Sequence, residues 1–134
     1  MTRVNLVDPK LLIDEHLVAE YREIKRIANN PPKNNNIPSS YVLGQGHVTF
    51  FKDKLDYIRY RHNLITREMR RRGFNVNIEL DKPHKKGFWM PKQHEVMVSV
   101  NRLVDRISTM KSEPHYYGNK IDRQVAIRQL MDGV

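Results

Sequence analysis

Cysteine is absent from this 134-residue chain. That excludes a disulfide scaffold, a thiolate nucleophile, an iron–sulfur cluster and every cysteine-based zinc motif. Long apolar runs are also missing. None approaches the ~20 residues that span a bilayer, and the opening MTRVNLVDPK has no signal-peptide hydrophobic region. Glycine is sparse, and Gly44-Gln45-Gly46 lacks the GxGxxG spacing of a dinucleotide loop. No Walker lysine motif, GxSxG elbow, HExxH or calcium-loop pattern occurs. Histidines stand at 16, 47, 62, 84, 94 and 115, none three or four residues from another. The reading is therefore no metal site and no cofactor. Negative charge is the other shortage: 15 Asp+Glu face 24 Lys+Arg, a formal charge of +9. Such a surplus calls for a polyanionic partner, nucleic acid before a membrane surface. The expectation is a soluble cytoplasmic monomer, one domain over residues 1–134, with no membrane association.

Hydrophobic residues make up 39% of the chain, and their spacing predicts an all-α fold of three main helices with long connections. Asp8-Pro9 offers an N-cap followed by proline at the first helical position. From there Ile13, Leu17, Tyr21, Ile24 and Ala28 fall within an arc of about 80°. His16, Arg22, Glu23 and Arg26 fall on a separate arc. Asn29-Asn30-Pro31-Pro32 ends the helix, and a loop rich in Asn, Pro, Ser and Gly runs to Gly46. From Gly46 to Arg72, Val48, Phe51, Leu55, Ile58, His62, Ile65 and Met69 recur at spacings of three and four. His62 on that seam reads as a core-edge histidine. Residues 52–72 hold eight basic and three acidic residues. They end in Arg70-Arg71-Arg72-Gly73, which suits helix capping and phosphate contact equally well. Residues 74–93 read as irregular. A third helix is expected from about His94 to Met110, buried through Val96, Val100, Leu103, Ile107 and Met110, with Arg102 and Arg106 on one face. Asp122 to Met131 could add a short terminal helix.

The extreme N-terminus carries the chemistry. Thr2 follows a methionine, and a small second residue is what methionine aminopeptidase accepts, so the mature chain is expected to begin at Thr2. An α-amine has a pKa of roughly 7.7–8.0 against about 10.4 for lysine. Far more of it is therefore unprotonated and able to attack an electrophilic carbon as a Schiff-base nucleophile. Arg3 beside it lowers that pKa further. Glu23, flanked by Arg22 and Arg26, reads on spacing alone as either a surface salt-bridge member or a catalytic carboxylate.

MTRVNL (Met1 to Leu6), DEHLVAEYRE (Asp14 to Glu23) with Arg26, and LGQGHVTFFKDKL (Leu43 to Leu55) resemble the pyrimidine-dimer DNA glycosylase/AP lyases of phages and algal viruses, the phage endonuclease V type. RRGFN (Arg71 to Asn75), the Pro91 to Leu103 segment ending in NRL, and YYGNK (Tyr116 to Lys120) extend the likeness in family order. The resemblance implies Thr2 as the nucleophile that attacks the sugar carbon bearing the damaged base, and Glu23 as the essential carboxylate. Arg3, Arg22 and Arg26 would hold the lesion strand, Arg102 would bind phosphate, and Arg106 would stand at a basic position of the lysine type. His16 would lie near the catalytic face, with Tyr116 and Tyr117 in an aromatic segment that recognises the dimer. The partner would be double-stranded DNA containing pyrimidine dimers or abasic sites, in a host cytoplasm if the source is viral.

Three features depart from the family pattern. The 29–41 loop is proline- and asparagine-rich rather than basic. His115 stands near where a tryptophan is expected, and residues 121–134 form an unplaced extension. Two other readings share the scaffold: the same imine chemistry on a different damaged base, and a non-catalytic basic DNA-binding protein.

Overall fold

The computed structural model describes residues 4–29, 37–44, 47–76 and 87–134. Among the described residues five helices run in the order α1 (Asp14–Asn29), α2 (His47–Phe50), α3 (Leu55–Arg71), α4 (Gln93–Thr109) and α5 (Arg123–Asp132). A two-stranded antiparallel hairpin, β1 (His115–Tyr116) and β2 (Asn119–Lys120), lies between α4 and α5. The all-α reading holds. Among the described residues no helix is long and apolar enough to cross a membrane.

Two helix boundaries differ from expectation. Asp8 does cap, accepting a hydrogen bond from Lys10 N–H at 3.0 Å, but it opens a single 3-10 turn over Pro9–Leu11. Leu12 is then extended, and α1 starts at Asp14. The continuous helix expected from 46 to 72 is broken between α2 and α3. Phe50 and Phe51 are both fully buried. Adjacent residues on one helix point about 100° apart, so burying both in one core favours a change of chain direction. Their rings join Tyr41, Tyr57 and Trp89 in an edge-to-face cluster with centroids 5.0 to 6.2 Å apart. The new helix begins against Gly87: Asp56 N–H donates to the Gly87 carbonyl, and Gly87 N–H donates to the Asp56 carboxylate at 3.1 Å. Gly87 has φ +98, and a Cβ there would lie 2.3 Å from the Asp53 carbonyl oxygen, so only glycine fits.

The seams otherwise follow the sequence. Ile13, Leu17 and Ile24 of the first stripe are buried, as are Phe51, Leu55, Ile58, His62, Ile65 and Met69 of the second and Val100, Leu103 and Ile107 of the third. Tyr21 is half-buried, and its place on the innermost line is taken by Glu20 and Ile27. The side chain of Ala28 lies outside the described residues. The terminal helix is present: Asp122 caps it through Gln124 N–H at 2.8 Å, Ala126 and Leu130 are buried, and Arg123 donates to the Ile107 carbonyl of α4.

The hairpin was not anticipated. Its two-residue turn holds Tyr117 at φ 52 and Gly118 at φ 80, the pairing of positive angles that matches hairpin twist. A tyrosine there is held from outside. The Asp14 carboxylate accepts from the N–H of both Tyr117 and Gly118, at 3.2 and 2.8 Å.

Candidate functional site

The site is built from three segments. The first is the stretch Val4 to Val7, which belongs to no helix or sheet and whose four residues are all buried. A buried segment outside helix and sheet needs partners for its backbone, and side chains supply them. Val4 N–H donates to His47 Nε2 at 2.8 Å, which fixes Nδ1–H as the donor to the Val42 carbonyl. The Tyr41 hydroxyl donates to the Val4 carbonyl, and Leu6 N–H donates to Ser99 Oγ. The second segment is α1, which presents His16, Ala19, Glu20 and Glu23 on one face. The third is α4, which presents Arg102, Leu103 and Arg106. Together with Asn5 these residues line a pocket of about 100 Å³.

Four of the sequence-predicted residues therefore converge: His16, Glu23, Arg102 and Arg106. Arg102 is half-buried and Arg106 exposed, so the rim of the pocket is cationic. His16 is held down to a pKa of about 4, first by burial and then by the nearby Arg102, with Arg106 adding to it against the opposing effect of Glu15. It is a neutral imidazole at pH 7. What it can offer a ligand is hydrogen bonding or shape, since it carries no charge.

Arg22 lines an adjacent, wider groove of about 460 Å³ with Asp14, Glu15, Val18, Phe74, His115 and Gly118, and Ala19 borders both cavities. Arg26 is exposed on α1 one turn beyond Arg22. Tyr116 and Tyr117 line neither the pocket nor the groove. They pack on the Arg72 guanidinium, 4.5 and 4.9 Å from their ring centroids. Their hydroxyls donate to the Lys10 carbonyl at 2.7 Å and to Glu68 Oε2 at 3.0 Å. Thr2 and Arg3 lie outside the described residues.

The arginine triplet after α3 divides by burial. Arg70 and Arg71 are exposed. The Arg72 side chain is fully buried and paired with Asp14 at 2.9 Å and Glu68 at 2.8 Å, and it also donates to the Pro9 and Lys10 carbonyls. It is thereby removed from phosphate contact and joins α1, α3 and the hairpin. His62 sits in the core as expected. It is fully buried and stacked on Tyr21, and burial together with the charge of Lys25 holds its pKa near 4.

Sequence reasoning missed Asn5, Glu20 and Arg61. Glu20 is 2% exposed and Arg61 3%. The two form a bidentate pair, Arg61 Nε to Glu20 Oε2 at 2.9 Å and Nη2 to Oε1 at 3.0 Å. One signal was available. Glu20 falls on the 13-17-20-24-27 seam of α1, where a carboxylate amid leucine and isoleucine must have a buried partner.

A comparison with protein-family models returns a match to pyrimidine dimer DNA glycosylase over residues 1–82. The match takes in the pinned 4–7 segment, α1 with His16, Glu20 and Glu23, and α3 with Arg61 and Arg72. It also includes Thr2 and Arg3, and it stops before α4 and the hairpin. It spans more than half of the sequence and contains the carboxylate side of the pocket, so this chain belongs to the pyrimidine dimer DNA glycosylase family.

Proposed function

We propose that the protein excises cyclobutane pyrimidine dimers from double-stranded DNA by an imine mechanism and then cuts the strand as an AP lyase. One observation carries the reading. Glu23, His16, Arg102 and Arg106 share a pocket with Asn5, three residues after Thr2 in sequence and part of a segment, residues 4–7, pinned by buried side chains.

The Thr2 α-amine attacks C1′ of the damaged nucleotide. A C–N bond forms as the glycosidic bond breaks, and the base leaves with the bonding pair. The sugar ring opens to a protonated imine, which acidifies C2′. Loss of the C2′ proton and departure of the 3′ phosphate oxygen complete β-elimination, and hydrolysis of the imine frees the amine. The imine is the electron sink, so no cofactor is needed. Glu23 stabilises cationic character at the sugar and assists the proton transfers. The neutral His16 leaves that role to the carboxylate. Arg22, Arg26, Arg102 and Arg106, with Arg3, hold phosphates of the lesion strand, while Tyr116 and Tyr117 act at the dimer from the hairpin. The enzyme works as a monomer in the cytoplasm.

Sodium borohydride tests the reading by reducing the imine to a stable amine. Covalent capture is expected on duplexes carrying a thymine dimer or an abasic site and not on undamaged duplex. Capture on abasic DNA with no action on dimers would point to the same chemistry on another lesion. No capture on any duplex would leave a DNA-binding protein. Acetylating the α-amine, or retaining Met1, should abolish capture and cleavage while leaving DNA binding. Full activity in protein shown by mass spectrometry to be blocked would sink the Thr2 assignment.

A further inference from the structure

The Glu20–Arg61 ion pair needs an explanation beyond stability. Taking both charges out of water costs several kcal/mol per ion, and a well-packed apolar pair of similar volume is often as stable or more so. Its outward contacts show where the pair acts. Glu20 Oε1, besides its bond to Arg61, accepts from Asn5 Nδ2 at 2.9 Å. Arg61 Nη1 donates to the Val7 carbonyl. One end of the pair thus holds the N-terminal segment at residue 5 and the other holds it at residue 7. Glu20 also lines the pocket that contains Glu23, while Arg61 borders a separate cavity with Leu6, Val7 and Tyr57. With His47 and Tyr41 at Val4 and Ser99 at Leu6, every residue from 4 to 7 is fastened by a buried polar side chain. Four helices and the 37–44 segment each contribute one.

We infer that the Glu20–Arg61 pair is a positioning device for the reaction, locking residues 5 and 7 of the segment that follows the N-terminal amine beside the Glu23 pocket. The inference rests on the imine reading above. Being bidentate and buried, the pair resists rotation and sliding in a way that apolar packing does not. It also brings no net charge to the pocket, because the Arg61 guanidinium neutralises Glu20 three residues from Glu23. A reaction that needs an amine and a carboxylate in register gains from such a lock, since a misplacement of about 1 Å can cost on the order of 100-fold in rate.

The test compares wild type with the double variant Glu20→Leu/Arg61→Met, which replaces the pair by apolar side chains and leaves neither charge stranded. Single-turnover cleavage is measured at saturating protein on thymine-dimer and abasic duplexes, together with duplex Kd, Tm and borohydride capture rate. The expected result is cleavage and capture slowed about 100-fold, with unchanged duplex Kd and a Tm within a few degrees of wild type. A purely structural role would lower the active fraction and the Tm together and would leave the rate of the active fraction alone. Asn5→Ser removes only the hydrogen bond from Asn5 to Glu20 and keeps the ion pair, so it serves if the double variant does not fold. It is expected to slow the same step about 10-fold at unchanged Kd, an energetic loss typical of one hydrogen bond to a charged group.

A folded double variant that cleaves at the wild-type rate overturns the inference, as does an Asn5→Ser variant with an unchanged rate. If wild type is captured and the variants are captured equally fast, only the positioning role falls. If wild type cleaves neither duplex and is not captured, the imine reading falls and the inference falls with it.

Discussion

Two polar clusters flank α1, and they use similar residues to opposite ends. At the N-terminus of α1, Asp14, Arg72, Glu68, Tyr116 and Tyr117 form a cluster held by ion pairs, hydrogen bonds and ring contacts between protein groups. Toward its middle, Glu20 is equally closed, but Glu23, His16, Arg102 and Arg106 surround a cavity, and the outermost arginine reaches water. Arginine, carboxylate and aromatic residues occur at or beside both. What separates architecture from a site is whether the charges are consumed internally or arranged around space that a ligand can enter. The Arg72 cluster ties the hairpin to the body of the fold, while the pocket cluster is held in place by that body.

Substitutions can break this contrast or sharpen it. The largest effect is expected from Arg72→Met, which strands the Asp14 and Glu68 carboxylates in a buried site. Breaking such a pair costs about 3–5 kcal/mol, so urea unfolding should show a large loss of stability. Cleavage measured well below the new Tm should persist. If stability were unchanged and cleavage abolished, the Arg72 cluster would be part of the site. Glu23→Gln is the mirror experiment. Turnover on dimer DNA should fall by two orders of magnitude or more, at least ~2.7 kcal/mol of transition-state stabilisation. Tm should be nearly unchanged and DNA binding retained. Near-wild-type cleavage would return Glu23 to a surface ion pair.

An intermediate effect is expected from pH. His16 and His62 both have pKa values lowered to about 4, chiefly by burial. The unfolded chain takes up these protons below about pH 6.5, whereas the folded chain does so only near 4. Stability from this source is therefore complete above pH 6.5 and is lost as pH falls from 6.5 toward 4. His62→Phe keeps a ring against Tyr21 and removes one of the two groups. Its Tm should exceed that of wild type by several degrees at pH 5, with the advantage shrinking by pH 8. An equal offset at both values would assign the effect to packing.

Smaller still is Arg102→Ala. Each phosphate contact contributes about −0.9 to the slope of log affinity against log salt, so four arginine contacts would give a slope of about −4. The variant should bring that slope nearer zero by about one and weaken damaged and undamaged DNA alike. A slope near zero in wild type would remove the phosphate reading of the +9 charge. The smallest effect belongs to Tyr116→Phe, which loses the hydroxyl bond to the Lys10 carbonyl. About 1 kcal/mol of stability is at stake, with no change in salt slope. The ring proposed to act at the dimer is kept, so the ratio of dimer to undamaged binding should hold, and a lowered ratio would give the hydroxyl itself a part in lesion recognition.

The parts legible in the sequence are those that depend on local pattern. Spacings of three and four located α1, α3 and α4 because an amphipathic helix must bury one face wherever it packs. Asp122 could be read as the start of α5 for a similar reason, since a cap satisfies its own helix. Glu23 and His16 could be placed on one face of α1 because seven residues make about two turns.

Where the reading failed, competing local rules were settled by distant partners. Asp8-Pro9 obeys the cap rule, yet the chain turns again before α1 starts at Asp14, whose carboxylate serves the 117–118 turn and Arg72. The period through 48–69 was sound, but burying Phe50 and Phe51 together broke the helix. Glu20 on an apolar seam announced a partner without naming it. The partner is 41 residues away, and for Asp14 and Glu15 the partners are 58 and 100 residues away. Composition and periodicity by themselves determined that this chain is helical and cationic, and which faces its helices bury. Tertiary structure alone decided which charges are neutralised inside and which remain around the pocket, because that choice depends on ion pairs between segments far apart in sequence, whose strength is set by burial and geometry.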